Sequence, residues 1–322
     1  MMIATTPACG PSSHVEMQTN LIHLSDQQRE SQRRHFARKK RYRERDYQFL
    51  LGPYLDTHES MTLAAYVGAQ SVDHRRILLL RHDIDHDYET ALRMARWERA
   101  RGLQASYCVL HTAWYYGQFV GGRYRHTDQL VQLCRQLHAM GHEVLLHNNA
   151  VVLALQTGAD PREVLHQELA FLRGLGVPVI GTATHGDAVC RAMHFGNFEI
   201  FLEAVKPDRG GVRTVSSERA EVQLGSLRYA DLDLVYEAYD IARDIYITDS
   251  GGRLRATRNA PGRRSFGRSD PSSGEVVGIL THPLWWDFGR PCGDVGAPGV
   301  AYSSPITALG RSGSHSQAPT RR

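Results

Sequence analysis

The stretch of sequence that decides the fold is Ile-Leu-Leu-Leu-Arg-His-Asp-Ile-Asp-His-Asp, residues 77–87. Its first four residues are apolar and predict a buried strand. The remainder is rich in carboxylates and imidazoles, the side chains that bind divalent metals. Catalytic groups of parallel α/β folds collect at the carboxyl ends of strands. The change from apolar to polar residues therefore predicts a functional site at the end of this strand.

Further apolar strands alternate with amphipathic helices along the chain. The helices are predicted to begin at Tyr88, after Thr127 and after Asp160, and the other strands at residues 105–110, 143–146, 177–180 and 276–280. Repeated β-α units with apolar strands are typical of a parallel sheet covered by helices. The pattern predicts an α/β fold, and closure into a barrel would bring several strand ends together. The elements between residues 188 and 275 cannot be put in order from the pattern.

Histidines follow three of these strands, at His147, His185 and His282. One histidine among seventeen is weak evidence, but all three fall at strand ends, as do Asp83 and Asp85. A divalent metal held by one carboxylate and two imidazoles, with an open position for water, is a common hydrolytic arrangement. Two carboxylates spaced two residues apart can divide the work, because one binds the metal while the other accepts a proton from water.

Taken together, these motifs resemble the polysaccharide deacetylase (NodB-homology) superfamily, and more narrowly its Arg-His-Asp-Val-Asp branch. The resemblance implies a distorted (β/α) barrel of the polysaccharide deacetylase type. It also implies metal-dependent hydrolysis of an N-acyl group, usually an acetyl group on an amino sugar. It covers roughly residues 75–290 and rests on residues 81–87, on residues 141–144 leading to His147, on residues 184–187 and on residues 280–283.

The resemblance also implies a role for each matching residue. Asp83 matches the catalytic base, and Asp85 matches the metal-binding aspartate. His147 matches the first metal-binding histidine, and His282 matches the catalytic acid. An ionised carboxylate and a protonated imidazole coexist near neutral pH, so the two proton-transfer roles are compatible.

The chain departs from the family pattern in two places. A second metal-binding histidine usually lies four residues after the first, but here that residue is Val151. His185 is the candidate replacement, with Asn148 or a water as the alternatives. The family's Arg-x-Pro-Tyr motif, whose arginine orients the base, is missing as well. Arg81 or the turn at residues 249–253 is the candidate to compensate.

Four side chains beside these motifs are candidates for contact with substrate: Arg81, Asp187, Trp285 and Trp286. The two tryptophans can form an apolar wall for an acetyl methyl group or stack on a sugar ring, and packing in the core is an equal alternative. Asp187 can orient a ligand histidine or simply form a turn. Asp87 is expected to cap the following helix.

Composition indicates one catalytic domain, residues 46–290, between two tails. The chain has 322 residues with a net charge of +4. Residues 1–45 carry nine Lys/Arg against four Asp/Glu, which predicts a basic tail that is disordered or loosely helical. Residues 291–322, rich in Gly, Ser and Pro, are expected to be disordered. A basic tail can bind nucleic acid, but a solvated charged surface is the favoured interpretation.

The sequence therefore predicts a metal-dependent amidohydrolase with Zn²⁺ as the expected cofactor and a saccharide or other small molecule as substrate. It contains neither a run of about 20 apolar residues nor the apolar core of a signal peptide, so a cytoplasmic protein without a membrane partner is expected. Three alternatives remain: a non-catalytic carbohydrate-binding relative, an amidohydrolase acting on a non-sugar amide, and a nucleic-acid role for residues 29–45. Nothing in the sequence indicates an oligomeric state.

Overall fold

A computed structural model describes residues 21–205, 211–264, 266–270 and 272–289. Within them the chain forms eight α-helices and fifteen strands. The helices are α1 (Asp26–Ala37), α2 (Glu44–Leu55), α3 (Leu63–Gly68), α4 (Tyr88–Arg99), α5 (Asp128–Ala139), α6 (Ala150–Thr157), α7 (Pro161–Gly174) and α8 (Ala188–Ala192). The strands are β1 (Tyr42–Arg43), β2 (Glu59–Met61), β3 (Arg76–Ile84), β4 (Ser106–Leu110), β5 (Gly117–Val120), β6 (Arg123–His126), β7 (Glu143–Asn148), β8 (Gly181–Thr184), β9 (Thr214–Ser216), β10 (Glu221–Gln223), β11 (Tyr236–Glu237), β12 (Arg243–Thr248), β13 (Arg255–Ala260), β14 (Glu275–Thr281) and β15 (Trp286–Asp287).

Nine of these strands form one curled sheet. Eight follow the order β11-β8-β7-β4-β3-β14-β12-β13, and β2 pairs with the first half of β3. Neighbouring strands are parallel except β12 and β13, which are antiparallel. The sheet has the curvature of a half-barrel with β11 and β13 at its two ends. This confirms a mixed α/β fold that is compatible with an α/β barrel.

The central strand β3 has apolar residues on both faces because both faces are covered. Leu78 and Leu80 belong to the cluster that packs against the helices, while Ile77 and Leu79 belong to a second cluster inside the curl. All four are at most 1% exposed. A leucine buried to this degree typically stabilises the fold by about 1.5–3 kcal/mol. Side chains alternate along a strand, so the inner face continues from Leu79 through Arg81 to Asp83.

Two predicted helix starts agree with the structure, and one predicted strand does not. Asp87 accepts a hydrogen bond from Thr90 N (3.0 Å) and caps α4, as predicted. Thr127 caps α5 in the same way, accepting from Leu130 N at 3.1 Å. The strand predicted at residues 177–180 is wrong, since β8 begins at Gly181. Pro178 offers no N–H to a neighbouring strand, which excludes it from a central ladder.

Residues 21–45, assigned from the sequence to a loose basic tail, pack against the domain. Helix α1 buries Phe36, whose ring stacks on His86 at a centroid distance of 6.0 Å. Lys40 forms an ion pair with Asp87 and also donates to the carbonyl oxygen of Pro283 (3.0 Å). The buried Phe36 ring and the paired Lys40 side chain hold this segment against the domain, although the segment is rich in basic residues.

Residues 1–20 and 290–322 lie outside the described part of the chain, and with them most of the predicted tails. None of the helices in the described residues has the length and apolarity needed to cross a bilayer.

Candidate metal centre and proton-transfer groups

Three predicted metal ligands meet at the carboxyl ends of three parallel strands of the sheet. Asp85 follows β3, His147 lies near the end of β7, and His185 follows β8. Their ligand atoms all lie within 4.8 Å of one another. Asp85 Oδ1 is 3.4 Å from both His147 Nε2 and His185 Nδ1, and the two ring nitrogens are 3.2 Å apart. The structure thus brings together one carboxylate and two imidazoles from three separate strands.

Hydrogen bonds orient the His147 imidazole and hold the main chain at His185. His147 Nδ1 donates to the carbonyl oxygen of Ala183 at 2.9 Å, and this orients the ring with Nε2 facing the cluster. The amide N of His185 donates to Asn148 O (2.9 Å), while its carbonyl oxygen accepts from Asn197 Nδ2 (3.1 Å). These contacts position the His147 ring and the backbone that carries the His185 ring.

The chemistry of this donor set fits a divalent cation. Asp85 Oδ1 is buried and makes no hydrogen bond to any described residue, although it faces two ring nitrogens. Burial alone would raise the pKa of Asp85, but interaction with His147 and His185 lowers it well below its usual range. Burial alone would lower the pKa of His185, but Asp85 raises it. The cluster therefore favours a positive charge, which a bound divalent cation would supply. Two histidines and one aspartate form a common zinc donor set with an open fourth position.

Asp83 lies beside this cluster and is ionised. Its two oxygens accept from Arg81 Nε (2.7 Å) and Nη2 (2.8 Å), and both side chains are buried. Burial alone would raise the pKa of Asp83, but the charge of Arg81, with His147 and His282, holds it below its usual value. Oδ2 is 3.5 Å from His147 Nε2 and 3.9 Å from His282 Nε2. The carboxylate thus stands between the metal ligands and the imidazole of His282.

The imidazole of His282 is paired with a buried carboxylate, Asp249. His282 Nδ1 donates to Asp249 Oδ1 at 2.6 Å, and the indole N–H of Trp286 donates to Oδ2 at 2.6 Å. Burial alone would lower the pKa of His282, but the hydrogen bond and charge of Asp249, with the charges of Asp85 and Asp83, raise it to about 9. His282 is therefore cationic at neutral pH, with Nε2 turned toward Asp83.

Comparison with protein-family models, with curated proteins and with solved structures gives no match for this chain.

Three residues predicted to contact the substrate are buried or half-buried: Arg81, Trp285 and Trp286. Trp286 is fully buried, and its ring lies 4.8 Å from that of Tyr42, so it supports Asp249 and does not line a cleft. Trp285 is half-buried beside Arg41. Arg81 is only 3% exposed and donates from Nε and Nη2 to Asp83. This geometry matches the alternative predicted for Arg81, a partner of the base.

The remaining candidates lie behind the metal ligands. Asp187 caps α8 by accepting from Val189 N (2.8 Å) and also accepts from Asn149 Nδ2 (3.2 Å). Asn148 Oδ1 is used by Ala150 N (2.8 Å). His185, rather than Asn148, therefore completes the three-residue cluster.

Two residues that shape the site were not among the predicted site residues. Asp249 was named only as part of a turn, yet it directly follows β12, the same strand-end signal that identified the histidines. Asn197 accepts from Val151 N (3.2 Å) and donates to His185 O, so it joins α6 to a ligand. It lies in a 3-10 helix, and no sequence pattern pointed to it.

Proposed function

We propose that the protein is a metal-dependent amidohydrolase of the polysaccharide-deacetylase type. It removes an N-acyl group, with acetyl as the first candidate, from an amino sugar. One observation carries the proposal: a cluster of Asp85, His147 and His185 lies beside an ionised Asp83 and a cationic His282. A carboxylate and an imidazolium that flank a metal site supply the base and the acid needed for amide hydrolysis.

Asp85, His147 and His185 would hold the ion, with Zn²⁺ as the first candidate. When bound, a divalent cation would polarise the amide carbonyl and lower the pKa of water. Asp83, fixed by Arg81, accepts a proton from the attacking water. His282 donates its Nε2 proton to the amide nitrogen as the carbon–nitrogen bond breaks. The products are a carboxylic acid and a free amine, and each proton has a donor and an acceptor.

The test is metal-dependent release of acetate from N-acetylglucosamine and its short oligomers. Protein treated with a chelator is expected to be inactive, and one equivalent of zinc is expected to restore the activity. His185→Ala should lose both bound zinc, measured by elemental analysis, and activity. His166→Ala, at an exposed position of α7, is the matched control and should retain both.

Two outcomes would contradict the proposal. The first is full activity of the chelator-treated protein. The second is a zinc-loaded protein that binds these sugars but releases no acetate, which would support the carbohydrate-binding alternative. If the protein cleaves only non-sugar amides, the proposed hydrolysis mechanism stands but the assignment of an amino sugar as substrate is wrong.

A further inference from the structure

Three arginines lie in or against the segment that joins β12 to the start of β13. They are Arg41, Arg253 and Arg255, and we call them the arginine rim. All three are exposed, and in the described part of the chain none of them pairs with a carboxylate. Arg41 lies across Gly252, where an added Cβ would be 2.8 Å from its Nε, and its guanidinium is 5.3 Å from the ring centroid of Trp285.

The register of the sheet relates Arg255 to the reactive groups. Arg81 pairs with Leu280, Leu280 pairs with Thr248, and Thr248 pairs with Arg255. Residues paired in this way point to the same face of a sheet. Arg255 therefore shares the inner face with Arg81, which holds the base Asp83.

The distance along this row sets the size of a ligand that could reach both ends. Three strand spacings of about 4.8 Å separate the backbones of Arg81 and Arg255 by about 14 Å. An Arg255 side chain that extends along this row would leave a gap of about the width of one sugar ring.

An aromatic surface lies along this gap. Tyr246 is two residues before Thr248 on the same strand face. Burial raises the pKa of Tyr246, while the charge of Arg81 lowers it and that of Asp83 raises it. Tyr239 is 37% exposed, with its ring centroid 5.0 Å from the Arg81 guanidinium. Aromatic rings beside a polar reactive group suit a ring-shaped substrate.

We propose that the substrate carries a phosphate group and that the arginine rim binds it. Guanidinium groups bind phosphate in a bidentate manner, and an arginine without a carboxylate partner is free to do so. The inference rests on the proposed function and names its substrate class, the phosphate esters of N-acylated amino sugars. The acyl group lies at Asp83, the sugar ring over Tyr246, and the phosphate at Arg255.

The test measures binding separately from hydrolysis. Calorimetry with metal-free wild-type protein compares N-acetylglucosamine 1-phosphate with N-acetylglucosamine, so that the phosphate cannot bind a metal ion instead. The phosphate ester should bind at least about tenfold more tightly, and this advantage should shrink as salt is added. Arg255→Gln should remove most of the advantage.

Arg258→Gln is the matched control for this substitution. Arg258 is an exposed arginine on the same strand, but it pairs with Ile245 on the opposite face, so its removal should leave the preference unchanged. Equal binding of the two sugars would overturn the inference, as would equal losses in the two variants, which would show a general effect of charge. If the preference for phosphate is present but zinc-loaded protein hydrolyses neither sugar, the proposed function fails and the binding site stands.

Discussion

Replacement of Asp249 by asparagine is expected to shift the pH dependence of catalysis. In the wild type His282 has a pKa of about 9 because Asp249, with smaller contributions from Asp85 and Asp83, outweighs the effect of burial. Asparagine is neutral, so the pKa of His282 should fall to its ordinary value of about 6.5 or lower. An acid catalyst acts in its protonated form, and activity is lost as the pH rises through its pKa. The alkaline limb of the profile should therefore move to lower pH.

The magnitude follows from the two protonated fractions. At pH 8, a histidine with a pKa of about 9 is roughly nine-tenths protonated, whereas one with a pKa of about 6.5 is roughly 3% protonated. The expected loss of kcat/KM at pH 8 is about thirtyfold, and it should diminish below pH 6. Stability should follow the same window: the stabilisation from His282 is fully present below pH 6.5 and lost as the pH rises through about 9.

The assay is kcat/KM for acetate release between pH 5 and pH 10, with an NMR titration of His282 in the metal-free protein. Asp244→Asn is the matched control, since Asp244 lies at the other end of β12 and accepts from Val276 N (2.7 Å). An unchanged alkaline limb in folded, zinc-loaded Asp249→Asn protein would refute the reasoning. So would an equal shift in Asp244→Asn.

Three further substitutions test the surroundings of the site. Arg81→Gln leaves the buried Asp83 carboxylate unpaired, so unfolding in urea should show a loss of about 3–5 kcal/mol and activity should fall at least about a hundredfold; retention of both would show that the pair is dispensable. Val151→His in a His185→Ala background should not restore zinc in elemental analysis, because Val151 is fully buried against the helices; recovered zinc would contradict this. Lys40→Met should lower the free energy of unfolding in urea by about 1–3 kcal/mol, since it removes hydrogen bonds that join the N-terminal segment to α4. An unchanged free energy of unfolding would mean that the segment is held by its apolar contacts alone.

The strand ends could be predicted because they depend on local chemistry. An apolar run followed by Asp83 and Asp85, or by His147, is visible in the sequence, and a parallel sheet gathers such ends at one edge. The order of the strands is a different matter. β12 lies between β14 and β13, and only this order brings Asp249 beside His282. Nothing in the spacing of a short strand reveals which neighbours it has.

The two tryptophans show a second limit of sequence reasoning. Trp285 and Trp286 are adjacent and chemically identical, yet one is half-buried and the other is sealed in the core. The difference arises because β15 pairs with β1 and directs Trp286 toward Tyr42 and Tyr47. That pairing joins two segments more than two hundred residues apart in sequence, and one of them had been assigned to a tail.

The position of His185 directly after β8 makes the candidate site depend on strand register. Helix α6 begins at Ala150, so position 151 belongs to a helix whose residues pack in the core, and His185 is the third member of the cluster instead. A slip of one residue between β7 and β8 would turn His185 to the opposite face of the sheet. The hydrogen bond from His147 Nδ1 to Ala183 O disfavours such a slip, because His147 and Ala183 are paired in the ladder. One contact thus orients the first imidazole and fixes the register that delivers the second.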